Sequence, residues 1–502
     1  MKPIFYLGRG FERVDLSMIL PGLAGIVASL LALILTLDIL AALVVFALVL
    51  SGLIFHKSFS RGWLFLLGIT LLFPSVGLNK TGLTLFDLLL SVLALFGMVQ
   101  LAIKDKKVLR NKLTFYFFLI FLIALAGGII GRFLNLTISK EVWQIALNLL
   151  MIWALLIGFQ YFFQTQKRIK RFFFVIVLVA VAHSVFGIAV FFTDWETSIG
   201  MGVSSGKTHH PIFNQVNERV NGFLGIELQE RTGVNPLAPF LCAGILSTVG
   251  FFLVDKEREK KLFGRKKRKL KERALISVLE KIKQVPYRIK KGKLFRKRMT
   301  WIGLAFIQFL ALFLTFSYGS LIYLGIGFLV MGILIKRRQL ISLATMYLII
   351  AIIIIPSLTS SVGIVSVINA SSWFEGFSQI GNKWIFGLGV ESEGASVLAD
   401  RFVRSSYLLM WSTYGILGII IFLSMLWQYF IEIYRKYEST KNGERIWFIT
   451  VVSIFAVLLL EGLSGNVIIF GPAAIIFWLM YGVILNLGKT KFNSRPKKVV
   501  YK

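Results

Sequence analysis

Apolar stretches of 17 or more residues recur from one end of this 502-residue chain to the other. Each is long enough to cross a hydrocarbon core about 30 Å thick. Inside such a core no water satisfies the backbone, so a spanning segment must bond to itself as a helix or close into a barrel. The runs are continuous rather than alternating, which selects helices. The expected fold is therefore an all-α polytopic membrane protein. The apolar share, 57%, exceeds the roughly 45–50% of soluble domains. The single cysteine, Cys242, excludes an internal disulfide and a cysteine-built metal cluster. No Walker A or Rossmann glycine pattern occurs, so ATP-driven transport by this chain alone is disfavoured. The polar, basic N-terminus precedes an apolar run with no small-residue cleavage pattern, so no cleavable signal peptide is expected.

About 14 spans can be placed (12–14 fit the pattern), at roughly 17–36, 39–55, 62–78, 82–103, 113–131, 142–163, 172–193, 236–254, 300–316, 319–335, 339–357, 405–431, 447–464 and 467–488. The net charge of +32 then becomes a test of sidedness, because Lys and Arg stay in cytoplasmic loops. With the N-terminus inside, 47 of the 56 Lys and Arg fall in cytoplasmic segments and nine outside. Both termini are thus expected in the cytoplasm, and the two long loops outside. The chain divides into a seven-span N-terminal bundle (1–193), a large outer loop (194–235), a span (236–254), a basic inner loop (255–299), three spans (300–357), a second large outer loop (358–404), the C-terminal spans (405–488) and a basic tail (489–502).

The basic inner loop contains GRKKRKLKER and FRKRM. Within it, Leu275, Leu279 and Ile282 fall on one helical face, as in a helix lying on an anionic leaflet. A solvated topogenic loop and a docking surface remain open alternatives. Nucleic acid is not an expected partner, since no aromatic interleaving or binding motif accompanies the charge. Ionisable residues inside spans are few: Asp87, His183 and Glu461. Such groups pack helices or line cavities more often than they react, although functional sites concentrate there.

The two outer loops collect groups suited to an anionic substrate. The first offers Lys207, His209, His210, Arg219 and Arg231 with Glu218, Glu227 and Glu230; the second offers Lys383, Glu391, Glu393, Asp400, Arg401 and Arg404. Arginine's planar fork pairs bidentately with phosphate oxygens. Pairing with the loops' own carboxylates is the alternative. Gly387 and Gly389 permit a tight turn beside a site.

Four local patterns then occur in a fixed order. They are Arg219-Val-Asn-Gly222-Phe223 followed by Asn235-Pro-Leu-Ala238; Thr315-Phe-Ser-Tyr318-Gly-Ser320; Trp384-Ile-Phe-Gly387-Leu-Gly389; and Tyr407-Leu408 followed by Tyr414-Gly415-Ile-Leu-Gly418. In that order, over about residues 200–425, the chain resembles the O-antigen ligase and Wzy-type polysaccharide polymerase family. The resemblance implies a glycosyltransferase that takes a glycan from undecaprenyl diphosphate outside the cytoplasmic membrane, without a cofactor. An acceptor hydroxyl attacks the anomeric carbon and the lipid diphosphate leaves. It implies polymerisation of repeat units into a capsule, exopolysaccharide or teichuronic-acid-type polymer in the cell wall, with a flippase and a chain-length regulator as pathway partners. Anionic lipids are the expected partners of the basic loop.

On this reading Arg219, Arg404, His210 and Glu391 are the candidate catalytic residues, and Arg401, Lys383, Asn235 and Tyr318 the candidate substrate-binding residues. Two positions depart from the family pattern. Tyr318 stands where the family has an arginine, and Arg404 where it has a histidine. Arginine stays protonated at ordinary pH and cannot act as a base, so Arg404 suits diphosphate binding and the base must be another group. His209, His210, Glu391 and Asp400 are candidates. The departures favour a polymerase over a ligase acting on a different acceptor. A lipid-linked oligosaccharide flippase is the alternative from another class.

Overall fold

A computed structural model describes residues 59–72, 89–94, 112–133, 140–193, 202–209, 216–222, 235–271, 279–315, 317–358, 385, 405–440 and 443–487. The described part is helical apart from one hairpin. In chain order the helices are α1 (Phe59–Leu72), α2 (Lys112–Phe133), α3 (Lys140–Phe162), α4 (Gln166–Thr193), α5 (Leu237–Lys271), α6 (Leu279–Leu314), α7 (Tyr318–Ile335), α8 (Arg338–Leu358), α9 (Ser406–Ser439), α10 (Gly443–Ser464) and α11 (Gly471–Asn486). Six of the described helices are long and apolar enough to cross a membrane: 166–189, 237–257, 296–314, 318–335, 406–439 and 444–464. Shorter apolar helices pack beside them. The molecule is a multi-pass helical membrane protein.

Helices α5 and α10 form the centre. Helix α5 packs on α4, α6, α7, α10 and α11, and α10 packs on α5, α7, α9 and α11. Apolar burial drives no helix pairing in lipid, so close approach depends on small residues and dispersion. Gly250 of α5 lies against Thr450 of α10, where an added Cβ would stand 2.6 Å from the threonine Oγ1. Gly244 lies against Ala180 of α4, and Gly327 of α7 against Val457 of α10. A methyl at any of the three would push two helices apart.

One end of the bundle is basic. It carries Lys167, Arg168, Lys170 and Arg171 at the start of α4, Arg296–Arg298 on α6, Lys336–Arg338 between α7 and α8, and Arg435 and Lys436 on α9. Rings bridge the helices here. Phe173 stacks on Trp447 at 4.7 Å, and Phe251 stacks on Trp301 at 4.7 Å and meets Trp447 edge-on at 4.8 Å. Buried Asp255 ties α5 to α6: Lys297 Nζ lies 3.0 Å from Oδ2, and Trp301 Nε1 donates to Oδ2 at 3.0 Å. The link from α7 to α8 closes on Lys336 in the left-handed region (φ 59), its N–H and that of Arg337 returning to Ile333 and Gly332 carbonyls.

Beyond the Asp255 tie, α5 and α6 continue as helices to Lys271 and from Leu279. At 35 and 36 residues they are each about 50 Å long. The separate surface helix expected around 275–282 is not what the described residues form. Leu279 and Ile282 belong to α6, continuous with its crossing. Leu275 lies outside the described residues.

The apolar run 405–431 also differs from a straight crossing. Gly415 has φ 68 and ψ −161, and the chain reverses there. Tyr407 and Phe422 rings are 5.8 Å apart. An unbroken helix would separate residues 407 and 422 by about 22 Å. A Cβ on Gly418 would stand 2.8 Å from the Met410 carbonyl oxygen. Residues 406–414 therefore form a short helix folded back along 416–424, and the crossing proper is 416–439.

The amide freed at the reversal is satisfied: Ile416 N–H donates to the Ile385 carbonyl at 3.2 Å. That carbonyl comes from the second long loop. Gly415 sits in a region that glycine alone occupies readily, so we predict that Gly415→Ala costs about 1–3 kcal/mol of stability, read as a lower melting temperature in detergent. Cysteines replacing Tyr407 and Phe422, in a Cys242→Ser background, are expected to cross-link through a short bifunctional reagent. Failure to cross-link would restore the straight helix.

Candidate functional site

The helices that flank the two long polar stretches end or begin opposite the basic end, and there the last turn of α10 is the meeting point. Ser405 Oγ donates to the Gly462 carbonyl at 3.2 Å. Ser406 donates twice to the Gly465 carbonyl, from N at 3.2 Å and from Oγ at 2.9 Å. Its hydroxyl oxygen accepts the Ile468 N–H at 3.3 Å. Tyr407 Oη donates to the Leu459 carbonyl at 3.0 Å. Gly462 leaves room for this: its missing side chain would collide with Ile468 and stand 3.5 Å from the Tyr407 ring. The short helix 406–414 thus begins sunk against α10 and climbs towards the polar-loop end, where Tyr414 Oη donates to the Val142 carbonyl at 2.6 Å.

The link from α10 to α11, residues 465–470, is irregular backbone yet buried. Non-helical backbone at membrane depth is tolerated only when protein groups satisfy it. Here Asn148 of α3 donates to the Ile469 carbonyl at 2.5 Å, and Trp478 Nε1 donates to the Ile468 carbonyl at 3.0 Å. Pro472 lies in the first turn of α11, where a missing N–H costs nothing.

Glu461 occupies the turn that receives these contacts. It is 2% exposed, and its Oε1 has no hydrogen-bond partner. Around its carboxyl stand the Ser320 hydroxyl and Tyr323 phenol of α7 and the Cys242 thiol of α5. Cys242 Sγ donates to the Ser320 carbonyl at 3.5 Å. Ser464 Oγ donates to the Glu461 carbonyl at 3.2 Å. No Lys or Arg among the described residues is paired with this carboxylate. A buried carboxylate left without a cation is costly, and in membrane proteins it marks function more often than stability.

The turn also gathers the sequence patterns. Ser320 ends the Thr315–Ser320 stretch. Cys242 lies one turn beyond the Asn235–Ala238 stretch. Ser405 and Ser406 follow Arg404 directly. The Trp384–Gly389 and Tyr414–Gly418 stretches meet through the hydrogen bond from Ile416 to Ile385.

The expected site residues fare differently. Arg219 lies on β2 (Val216–Gly222), which pairs antiparallel with β1 (Gly202–His209), Arg219 opposite Ser204 and His209 opposite Val216. The hairpin, which hydropathy does not announce, rests against α4. Asn235 caps α5: its Oδ1 accepts the Leu237 N–H at 3.0 Å, with Pro236 as the first helical residue. Tyr318 opens α7 and packs half-buried on the core. His210, Glu391, Arg401, Arg404 and Lys383 lie outside the described residues, as do Asp87 and Arg231. His183 is buried between α1 and α5: Nε2 lies 3.0 Å from the Leu71 carbonyl, and the ring meets Phe240 edge-on. That arrangement is helix packing. Glu461 carries more of the site than its sequence context suggests. The available signal was a carboxylate near the end of an apolar span.

If the cap is what Asn235 supplies, Asn235→Asp or Asn235→Ser keeps the melting temperature. Asn235→Ala is predicted to cost about 0.5–2 kcal/mol. An Ala variant as stable as the parent would reassign the residue to the substrate.

No family model matches this chain, and no curated protein matches it.

Proposed function

We propose that the protein polymerises oligosaccharide repeat units carried on undecaprenyl diphosphate, at the outer face of a bacterial cytoplasmic membrane. The observation that carries this reading is the convergence at one end of the bundle. The stretches Thr315–Ser320, Trp384–Gly389 and Tyr407–Gly418, and α5 one turn beyond Asn235–Ala238, meet at the last turn of α10 or at the Gly415 break, while the strand of Arg219 rests on α4. Such convergence is what a site at the membrane surface requires. It also follows the arginine-rich loops, whose guanidinium groups suit a diphosphate.

In full the proposal has about 14 crossings, both termini and the basic end in the cytoplasm, and the two long loops outside. The positive-inside distribution supports that orientation. The acceptor hydroxyl of one unit attacks the anomeric carbon of another. The diphosphate leaves with growing negative charge, which Arg219 and Arg404 neutralise. Arg401 and Lys383 add positive charge at the headgroup level. Pairs of this kind gain strength where the dielectric falls below that of water.

Deletion is expected to collapse the surface glycan to single repeat units on a gel. Accumulation of long lipid-linked chains would indicate a ligase instead, and intracellular accumulation of lipid-linked units a flippase. We predict that Arg219→Ala and Arg404→Ala each cut polymer by about 100-fold or more while the protein still inserts. Arg231→Ala is expected to be milder. Normal chain length in both variants would remove the diphosphate role.

A further inference from the structure

We propose that Glu461 is the group that takes the proton from the attacking acceptor hydroxyl, an inference that rests on the transferase reading above. The transfer needs a proton acceptor, and Arg404 cannot be one. Among the described residues at the polar-loop end, Glu461 is the buried carboxylate with an oxygen, Oε1, left without a partner. Its neighbours leave it free for that work. Ser320, Tyr323 and Cys242 bring neutral hydroxyl and thiol groups. A cationic partner would occupy the lone pairs that a base must offer.

Position supports the assignment independently. The carboxylate stands on the same turn whose Gly462 carbonyl holds Ser405, the residue directly after Arg404. The diphosphate-binding and proton-accepting roles thus fall on adjoining segments, as a displacement at one carbon demands. The base must reach the hydroxyl while the cation reaches the leaving oxygen. Glu461 also sits beside the N-terminus of the short helix 406–414. Its cap residue, Ser405, spends its hydroxyl on Gly462 rather than on the helix's own amides.

The step balances. The acceptor O–H bond breaks, its proton going to Glu461 Oε1, and the oxygen pair forms the new bond to the anomeric carbon. The bond from that carbon to the diphosphate oxygen breaks, and the leaving group keeps the electron pair. The proton returns to water before the next cycle.

The test uses full-length protein in membrane vesicles given the lipid-linked repeat unit. Glu461→Gln, which keeps shape and removes the base, is expected to lower chain extension about 100-fold or more. Glu461→Asp is expected to retain part of it. Because a buried substitution can impair insertion, the parent protein supplies a second measurement. A hydrophobic carbodiimide, which couples to carboxyls shielded from water, is expected to label Glu461, to abolish extension in step with labelling, and to be slowed by the lipid-linked donor. Normal extension by Glu461→Gln overturns the assignment, as does a parent that is unlabelled at Glu461 or labelled yet active. Vesicles in which the parent itself extends nothing, with an unchanged glycan on deletion, remove the transferase reading and this inference with it.

Discussion

The structure depends on satisfying backbone groups where water is absent. A straight crossing does this by itself. The two irregular places described here do not: the reversal at Gly415 and the buried link 465–470 each expose amides and carbonyls. Local turns answer part of this, as Ile469 and Phe470 N–H donate to the Asn466 carbonyl, and other segments answer the rest. Ile385 takes the Ile416 amide, Ser405 and Ser406 take the Gly462 and Gly465 carbonyls, Asn148 takes that of Ile469, and Trp478 that of Ile468. Because an unpaired group at depth costs several kcal/mol, these bonds bind distant parts of the chain into one arrangement. The irregular end is therefore as well specified as the regular one, by different means.

The basic end works in the opposite way. There, stacked rings and the buried carboxylate of Asp255 hold helices that are individually regular. Asp255 is matched by Lys297, whose side chain is 48% exposed, and by the Trp301 indole. Glu461 at the other end is paired with no Lys or Arg among the described residues. Two acids in similar apolar surroundings thus sit in contrasting chemical states of provision, one paired and one not. The pairing of Asp255 explains a join between α5 and α6. Glu461 makes no such join among the described residues.

Much of the helical framework was legible, because apolar length is a strong signal. The stretches forming α4, α7 and α10 stand out from composition alone. The reversal inside 405–431 was not legible from hydropathy, since both its arms are apolar and only Gly415 marks it. The fold-back is a tertiary matter, decided by Gly418 and Gly462 allowing two close approaches. Asn235 could be read two ways: an asparagine before a proline and an apolar run is a helix cap as readily as a ligand, and the structure uses it as a cap. For Glu461 the sequence offered position but not neighbours. Ser320 and Cys242 lie well over 100 residues away in the chain.

That separation bears on how the protein comes to exist. Chains enter the membrane from the N-terminus onward, so α5 and α7 are inserted long before α10 is made. Until Gly462 and Gly465 arrive, Ser405 and Ser406 have no carbonyls to meet, and the short helix has no floor to rest on. This junction is therefore among the last parts of the described fold to form during biosynthesis. A stalled or truncated chain would hold most of the described helices, yet lack the junction between the short helix and the last turn of α10.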